Sequence, residues 1–377
     1  MGNIITGLVP VIYRALDTIP RELCGAIPGT RRWPSQVRVA KNQTITFPIV
    51  PKLTATDMTA AASAGPNPNG ITIGNDSLSM TNIKTVDFPW TGEEAQGLSS
   101  NSMFAPILQD EFAQAFRTLA NAIETDICAL ATYGASAYGT AGLTPFGTAN
   151  DLSDLNFTKK NLKDRGCPQG DLHLVLDTDA HATLQSKQTV IYKANEYGSR
   201  EGILAGTTSL IQGVNMHESG FVASHTSGTM ASDKTFISGA KGDTVLTLNG
   251  YDSTAKQGDV LTIGNDKYVV AADQTSATIV IQDPGLRVSA VGQTPVDSSS
   301  YVANFMFDRN AIVLISALPS LPPGGDIAAD TQTVVDPITG LQFEIAIYKQ
   351  YMQNTWSVRA AWGVKLVKPD FVSLLLG

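Results

Sequence analysis

The spacing of apolar positions changes period several times along the chain, and each change predicts an element. Val9, Ile12, Tyr13, Leu16 and Ile19 recur at intervals of three and four, which predicts an amphipathic helix over residues 5–26, bent at Pro10 and broken at Pro20. Pro28, Gly29 and Pro34 separate it from the next segment, so it reads as an arm that packs on something outside its own stretch of chain. From Val37 the pattern alternates: Val37, Val39, Ile45, Phe47 and Ile49 share one face of a predicted long strand. Residues 78–90 give a second strand, with Val86, Phe88 and Trp90 alternating, and residues 54–75 between the two are rich in Ala, Gly, Asn and Pro. Pro48, Pro51 and Pro89 make both poor sheet interiors. The prediction is a two-stranded arm of roughly 40 Å that projects from the body and lies against a neighbour.

Leu108, Phe112, Phe116, Leu119, Ile123, Ile127 and Leu130 then hold a helical period without interruption, predicting one helix over 106–133, closed by Gly134. Between Asp151 and Ser186 the order is helix, strand, helix, with Leu172 to Leu176 as the strand and Asp179 as N-cap of the second helix. Ile203, Leu204, Leu210, Ile211 and Val214 mark short strand fragments in a glycine-punctuated stretch. From 221 to 297 the helical period vanishes and short β runs separated by Asn249-Gly250, Gly264-Asn265-Asp266 and Asp283-Pro284-Gly285 predict a small all-β barrel. Mixed texture resumes at Phe305 to Leu314, so the barrel reads as an insertion into a discontinuous core. Alternation at Phe343, Ile345 and Ile347, then Trp356 to Trp362 and Val364 to Val367, gives a strand-rich return.

Composition narrows the function classes. The chain has 377 residues, 16% charged and 43% hydrophobic, with a net charge of -8. A typical soluble domain is about 25% charged, and small and uncharged polar residues fill the gap, as on a surface covered by other chains. Net acidity argues against an electrostatic grip on nucleic acid or anionic lipid. No apolar run approaches the ~18 residues of a membrane span. Cys24, Cys128 and Cys167 are odd in number and without C-x-x-C spacing, so reduced, buried thiols are expected.

Candidate chemistry is sparse. Asp177, Asp179 and His181 place two carboxylates and an imidazole at a strand-to-helix junction, the best starting point for a metal-dependent hydrolase, although no further cluster with ligand spacing completes a shell. His217, Glu218 and His225 read as loop residues, and Cys167 with a distant histidine would be a thiol dyad. Arg14, Arg21, Arg31 and Arg32 form the densest basic group. The stretch from Gly202 to Gly213 lacks a phosphate-binding lysine, and no nucleophile elbow or dinucleotide fingerprint occurs. The expectation is therefore a non-enzyme with no catalytic, cofactor-binding or metal residues.

The order of parts resembles the major capsid proteins of tailed bacteriophages, the Hong Kong 97-type fold, and among them the podovirus coat proteins with an insertion domain. The segment Phe307-Asp308-Arg309-Asn310-Ala311 is similar to the family's re-entry after the insertion, and Asp336-Pro337-Ile338-Thr339-Gly340-Leu341 with Gly363 and Pro369 is similar to its ending. The resemblance implies an α+β fold with an N-terminal arm (1–34), an extended loop (35–98), a discontinuous peripheral and axial core (99–220 and 298–377) built on the spine helix, and an inserted β-barrel (221–297). It implies a coat protein assembling into pentamers and hexamers of an icosahedral head around double-stranded DNA, located in the virion and assembled in the host cytoplasm. Implied partners are copies of itself, a scaffolding protein, a portal and a decoration protein, with weak contact to packaged DNA and none to membrane. An encapsulin-like compartment shell shares the fold without the virus.

Overall fold

The computed structural model describes residues 24–49, 73–99, 104–188, 210–229, 234–250, 254–297, 299–336 and 339–377. The arm helix expected over 5–26 lies almost wholly outside the described residues, as do most of the tip between the two arm strands and residues 202–209. Where description begins, the chain is no longer in that helix. Cys24 forms an isolated antiparallel bridge with Ser219, and a single helical turn, α1 (Ala26–Gly29), comes directly after it.

Four strands come next: β1 (Arg31–Val39), β2 (Thr44–Ile49), β3 (Gly74–Ser79) and β4 (Asn82–Thr91). The two expected long strands are each divided. Only β2 and β3 pair with one another, from Thr44 with Ser79 to Ile49 with Gly74. At six residues each they span about 20 Å rather than 40 Å. A turn at residues 40–43, with Asn42 at φ 64°, ends β1, and reciprocal bonds from Asn42 N–H to the Met80 carbonyl (2.8 Å) and Met80 N–H to the Gln43 carbonyl (2.9 Å) close the ribbon's base. The flanking strands β1 and β4 belong to the main body.

After α2 (Gly92–Ser99) comes the spine helix α3 (Phe104–Ala131), 28 residues and about 42 Å long. Its apolar stripe is the stripe read from the sequence: Leu108, Phe112, Phe116, Leu119, Ile123 and Ile127 are all buried. Phe112 packs edge-on against Phe88 (5.2 Å) and Trp356 (5.3 Å), and Phe116 against Phe343 (5.0 Å). Such buried aromatics contribute on the order of 2–3 kcal/mol each through area alone. Gly134 comes next because the chain passes Val372 there, and a Cβ would meet its side chain at 2.8 Å.

The α/β unit consists of β5 (Ser136–Tyr138), α4 (Ser153–Asp164), β6 (Leu172–Leu176) and α5 (Thr178–Lys187). β7 (Leu210–Ile211), β8 (Val214–Glu218) and β9 (Ser224–His225) extend it. The barrel strands are β10 (Phe236–Ser238), β11 (Val245–Leu248), β12 (Val260–Ile263), β13 (Asp266–Val269), β14 (Thr278–Val280) and β15 (Val296–Asp297). β16 (Tyr301–Asp308), β17 (Ile312–Pro319), β18 (Asp330–Val335), β19 (Gln342–Gln350), β20 (Gln353–Leu366) and β21 (Val372–Leu376) complete the α+β chain.

The six-stranded sheet is organised by β20. β4 pairs along one edge of it, from Gln353 to Trp362, while β19 and then β17 share the other edge end to end. β1 runs parallel to β17, and β18 antiparallel to β19. Both prolines find tolerant places: Pro34 borders a register shift on the edge strand β1, and Pro89 lies on the edge strand β4. β19 is buried on both faces, because Glu344 on its expected polar face forms a two-point ion pair with Arg38 of β1.

The ten-stranded sheet runs β15-β12-β13-β5-β21-β16-β6-β8-β7, with β9 on β16. Its first three strands also belong to the barrel. A bridge between Val270 and Ile281 passes from β13 to β14, β14 pairs with β11 and β11 with β10. Phe236 then exchanges backbone bonds with Gln293 and Gly292, both 2.9 Å, and closes the ring towards β15. Phe236, Leu246, Leu248, Leu261, Tyr268, Ile279 and Ile281 fill it with a core of its own. The ring begins at Phe236; the preceding segment, with Phe221 and Val222, packs on the main core.

Candidate functional site

The run Asp177 to His181 does not become a metal site. Asp177, not Asp179, takes the N-cap position of α5, and its N–H is held by Asn304 Oδ1 at 2.6 Å. Asp179 lies in the first turn, and His181 Nδ1 turns to Glu218 Oε2 at 2.9 Å. Among the described residues no group of three or more His, Cys, Asp or Glu side chains is arranged to hold a metal ion.

The other histidines are structural, and they lie on strands rather than loops. His217 and Glu218 end β8, and His225 ends β9. His173 Nε2 is 2.9 Å from Asp171 Oδ1; the carboxylate only accepts, so Nε2 carries the proton and Nδ1 accepts from His217 Nε2 at 2.9 Å. Burial, then the neighbouring His173, lowers His217 to about 4, and burial also lowers His173. This neutral pair lies beneath residues 25–29: a Cβ at Gly25 would meet His217 Cβ at 2.7 Å, and one at Gly29 would meet His173 Cγ at 3.0 Å. His225 Nε2 bonds Asp259 Oδ1 at 2.8 Å, and that carboxylate also accepts the N–H groups of Gly228 and Lys256.

All four histidines are thus engaged away from Cys167, and no thiol dyad forms. The Cys167 thiol donates to the Pro168 carbonyl at 3.4 Å and is pushed up to about 12, chiefly by burial. Cys24 is raised to about 12 for the same reason, and Cys128 is raised as well. These are protonated thiols in packed surroundings, as the spacing predicted.

A buried acid went unnoticed in the sequence. Glu124, on the flank of the spine stripe, accepts Ala26 N–H at 2.7 Å, Ile27 N–H at 3.0 Å and Ser219 Oγ–H at 2.8 Å. Burial raises its carboxyl above the usual range against those bonds. It supplies the acceptor for the unpaired N–H groups at the start of α1, so it anchors the chain beside the spine helix. Its sequence signal is its position next to Ile123, where an acid is out of keeping with the buried stripe.

The basic group does not survive as a patch among the described residues. Arg31 stacks on Trp33 at 5.5 Å and donates to Asn310 Oδ1, while Arg32 turns inward to the Ile27 carbonyl at 3.2 Å. Arg14 and Arg21 lie outside the described residues.

A cavity of about 590 Å3 separates the barrel from the α/β unit, lined by Tyr138, Asp154, Asn161 and Lys267 among others. Three of its polar groups have structural partners: Asp154 accepts Phe146 N–H at 2.7 Å, Asn161 donates to the Ala137 carbonyl, and Lys267 to the Gly139 carbonyl. The Lys267 contact, with Arg287 to Asp164 at 2.5 Å and the Tyr268–Ser136 pairing, fixes the barrel to the core.

Among the described residues β2 and β3 pair only with one another, and apolar side chains face solvent elsewhere: Tyr351 is 95% exposed, Ile327 91% and Met352 68%. No helix among the described residues is long and apolar enough to cross a membrane.

No family model matches the chain, and no curated protein matches it. Solved structures do. The capsid asymmetric unit of cyanophage A-1(L) is similar at 10% identity over 95% of this chain and 94% of that one, with a TM-score of 0.48. A structure from Mycobacterium phage Che8 is similar at 13% identity over 89% and 85%, with a TM-score of 0.47. A virus-like particle from Pyrococcus furiosus is similar at 8% identity over 97% and 96%, with a TM-score of 0.42.

Proposed function

We propose that this chain is a shell-forming structural subunit: a major capsid protein that self-assembles into pentamers and hexamers of an icosahedral bacteriophage head enclosing double-stranded DNA. The observation that carries the proposal is the ribbon of β2 and β3. Two strands that, among the described residues, pair with no third strand are marginal in water. An edge of that kind is also a template for another chain. The ribbon makes sense as a clamp that a neighbouring copy completes. The spine helix and its sheet give the rigid body such a clamp needs, and the exposed Tyr351, Met352 and Ile327 supply further apolar contacts.

The role is structural rather than enzymatic. Each cluster of titratable side chains in the molecule is engaged in holding strands and turns together among the described residues. A net charge of -8 suits an inner surface that confines DNA without gripping it. On this reading the subunit resides in the virion, is assembled in the host cytoplasm, and meets a scaffolding protein, a portal and a decoration protein there. Electron microscopy and size-exclusion chromatography of the purified full chain, with a scaffolding partner supplied, test it. Rings or closed shells are expected; a persistently monomeric chain refutes the proposal.

A further inference from the structure

The ribbon leaves the body over the outer face of β17 and β20, and its attachment is unusually well defined. Val39, Phe47, Leu78, Met80, Val313, Ile315, Ala317 and Ala361 form a separate apolar cluster at that point. Two residues of β20, spaced by two and so on one face of the strand, shape the contact. At Gly363 there is no room for a side chain: a Cβ would collide with Leu78 Cδ2, and would lie 2.7 Å from the Ser79 carbonyl oxygen and 3.3 Å from Met80 Sδ. At Lys365 the ammonium group bonds the Asp76 carboxylate and, at 2.7 Å, the Ser77 carbonyl. Gly363 thus lets β3 sink onto the sheet, and Lys365 ties the same strand down one step further along. The ion pair is only half-buried, so its value is geometric more than energetic.

We propose that Gly363 and Lys365 are positioning residues that fix the direction in which the ribbon leaves the subunit, acting as a two-point mount. The cleft at Gly363 sets the depth of β3, and the Lys365 clamp stops it pivoting about that cleft. A ribbon of about 20 Å that tilts by about 15° carries its far end about 5 Å sideways. On the assembly reading, on which the consequence for shells rests, that displacement decides whether the clamp meets its neighbour.

The direction can be measured on the full chain. Spin labels at Pro48→Cys, on the exposed far part of β2, and Lys349→Cys, at the exposed end of β19, are placed in a background with Cys24→Ser, and their distance distribution is read by pulsed electron resonance. One narrow distribution is expected with the mount intact, and a broader one, or one displaced by about 5 Å, for Lys365→Met. Asp76→Asn should reproduce that change, and adding it to Lys365→Met should add little. Gly363→Ala should displace the maximum, and if it fails to fold, Lys365→Met alone decides. A parent distribution as broad as that of the variants, or variants indistinguishable from a narrow parent, overturns the proposal. Microscopy of the same samples separates the two readings. If the distances change as expected while the parent chain never forms shells, the mount stands and the assembly reading fails.

Discussion

The ribbon and the barrel are both excursions from the same body, the first of two six-residue strands and the second of strands of two to four residues, and they solve the problem of an exposed strand in opposite ways. The barrel closes its backbone bonding in a ring through Gln293 and Phe236 and fills that ring with its own apolar core. It is fixed to the body by Tyr268, Lys267 and Arg287. The ribbon closes nothing. Its apolar side chains are spent at its root, against β17 and β20, and among the described residues neither strand pairs with a third. On the assembly reading proposed above, the second arrangement is the one that a partner would complete.

The comparison breaks most visibly if the ribbon is shortened. Because Gly74–Ser79 is paired strand, a deletion should stop before it; removing residues 54–72 should abolish shells in negative-stain images while urea unfolding shifts by no more than about 0.5 kcal/mol. Normal shells would show that residues 54–72 serve no neighbour. The reciprocal change is Phe236→Ala in the barrel core, which should cost roughly 3–5 kcal/mol. Hydrogen exchange should place the loss in residues 236–297 and leave the ribbon's amides unchanged; a loss shared with the ribbon would deny the barrel its independence.

Variants outside both excursions calibrate the body that carries them. Glu124→Gln puts an amide where a carboxylate accepts three donors, and should cost about 2 kcal/mol by urea titration, with faster exchange at Ala26 and Ile27. The smallest effect is a slope. His217 is held at about 4 in the folded chain against an ordinary 6.5, so the unfolded chain binds the proton first and stability falls as pH drops from 6.5 towards 4. The Glu124 carboxyl, raised by burial, contributes the opposite slope. His217→Asn leaves that in place, so the difference between parent and variant should be a flatter acid limb, measured as melting temperature against pH, and an unchanged limb would exclude the imidazole as its source.

Much of the body was legible in the sequence because its period is unambiguous. Seven apolar residues at helical spacing admit one reading, and the spine helix lies where they put it. The barrel announced itself by turn residues between short β runs. The ribbon was overextended because alternation states that a strand has a buried face but not what buries it: Val86, Phe88 and Trp90 alternate against the spine helix, not against a second arm strand. Long-range polar pairs were invisible for the same reason. Nothing near Glu344 in sequence announces Arg38, and nothing near Lys365 announces Asp76. The end of β8 was read as loop because His217 and Glu218 are poor strand formers, and its pairing with β6 overrides that preference. The Asp177 to His181 run shows how composition supplies ligand types without placing them around a point.

The position of β21 has a kinetic consequence. In the ten-stranded sheet it is the strand that joins β5, and with it the barrel side, to β16 and the α/β side, and of all the strands it is the latest in sequence. Ser373 must find Ser136 across more than half of the chain. Contacts of such separation are slow to form, and until they do the two half-sheets expose the edges of β5 and β16 to any other chain nearby. The subunit is thus most adhesive before it is finished, and efficient folding at high concentration should depend on how quickly residues 372–376 slot into the gap.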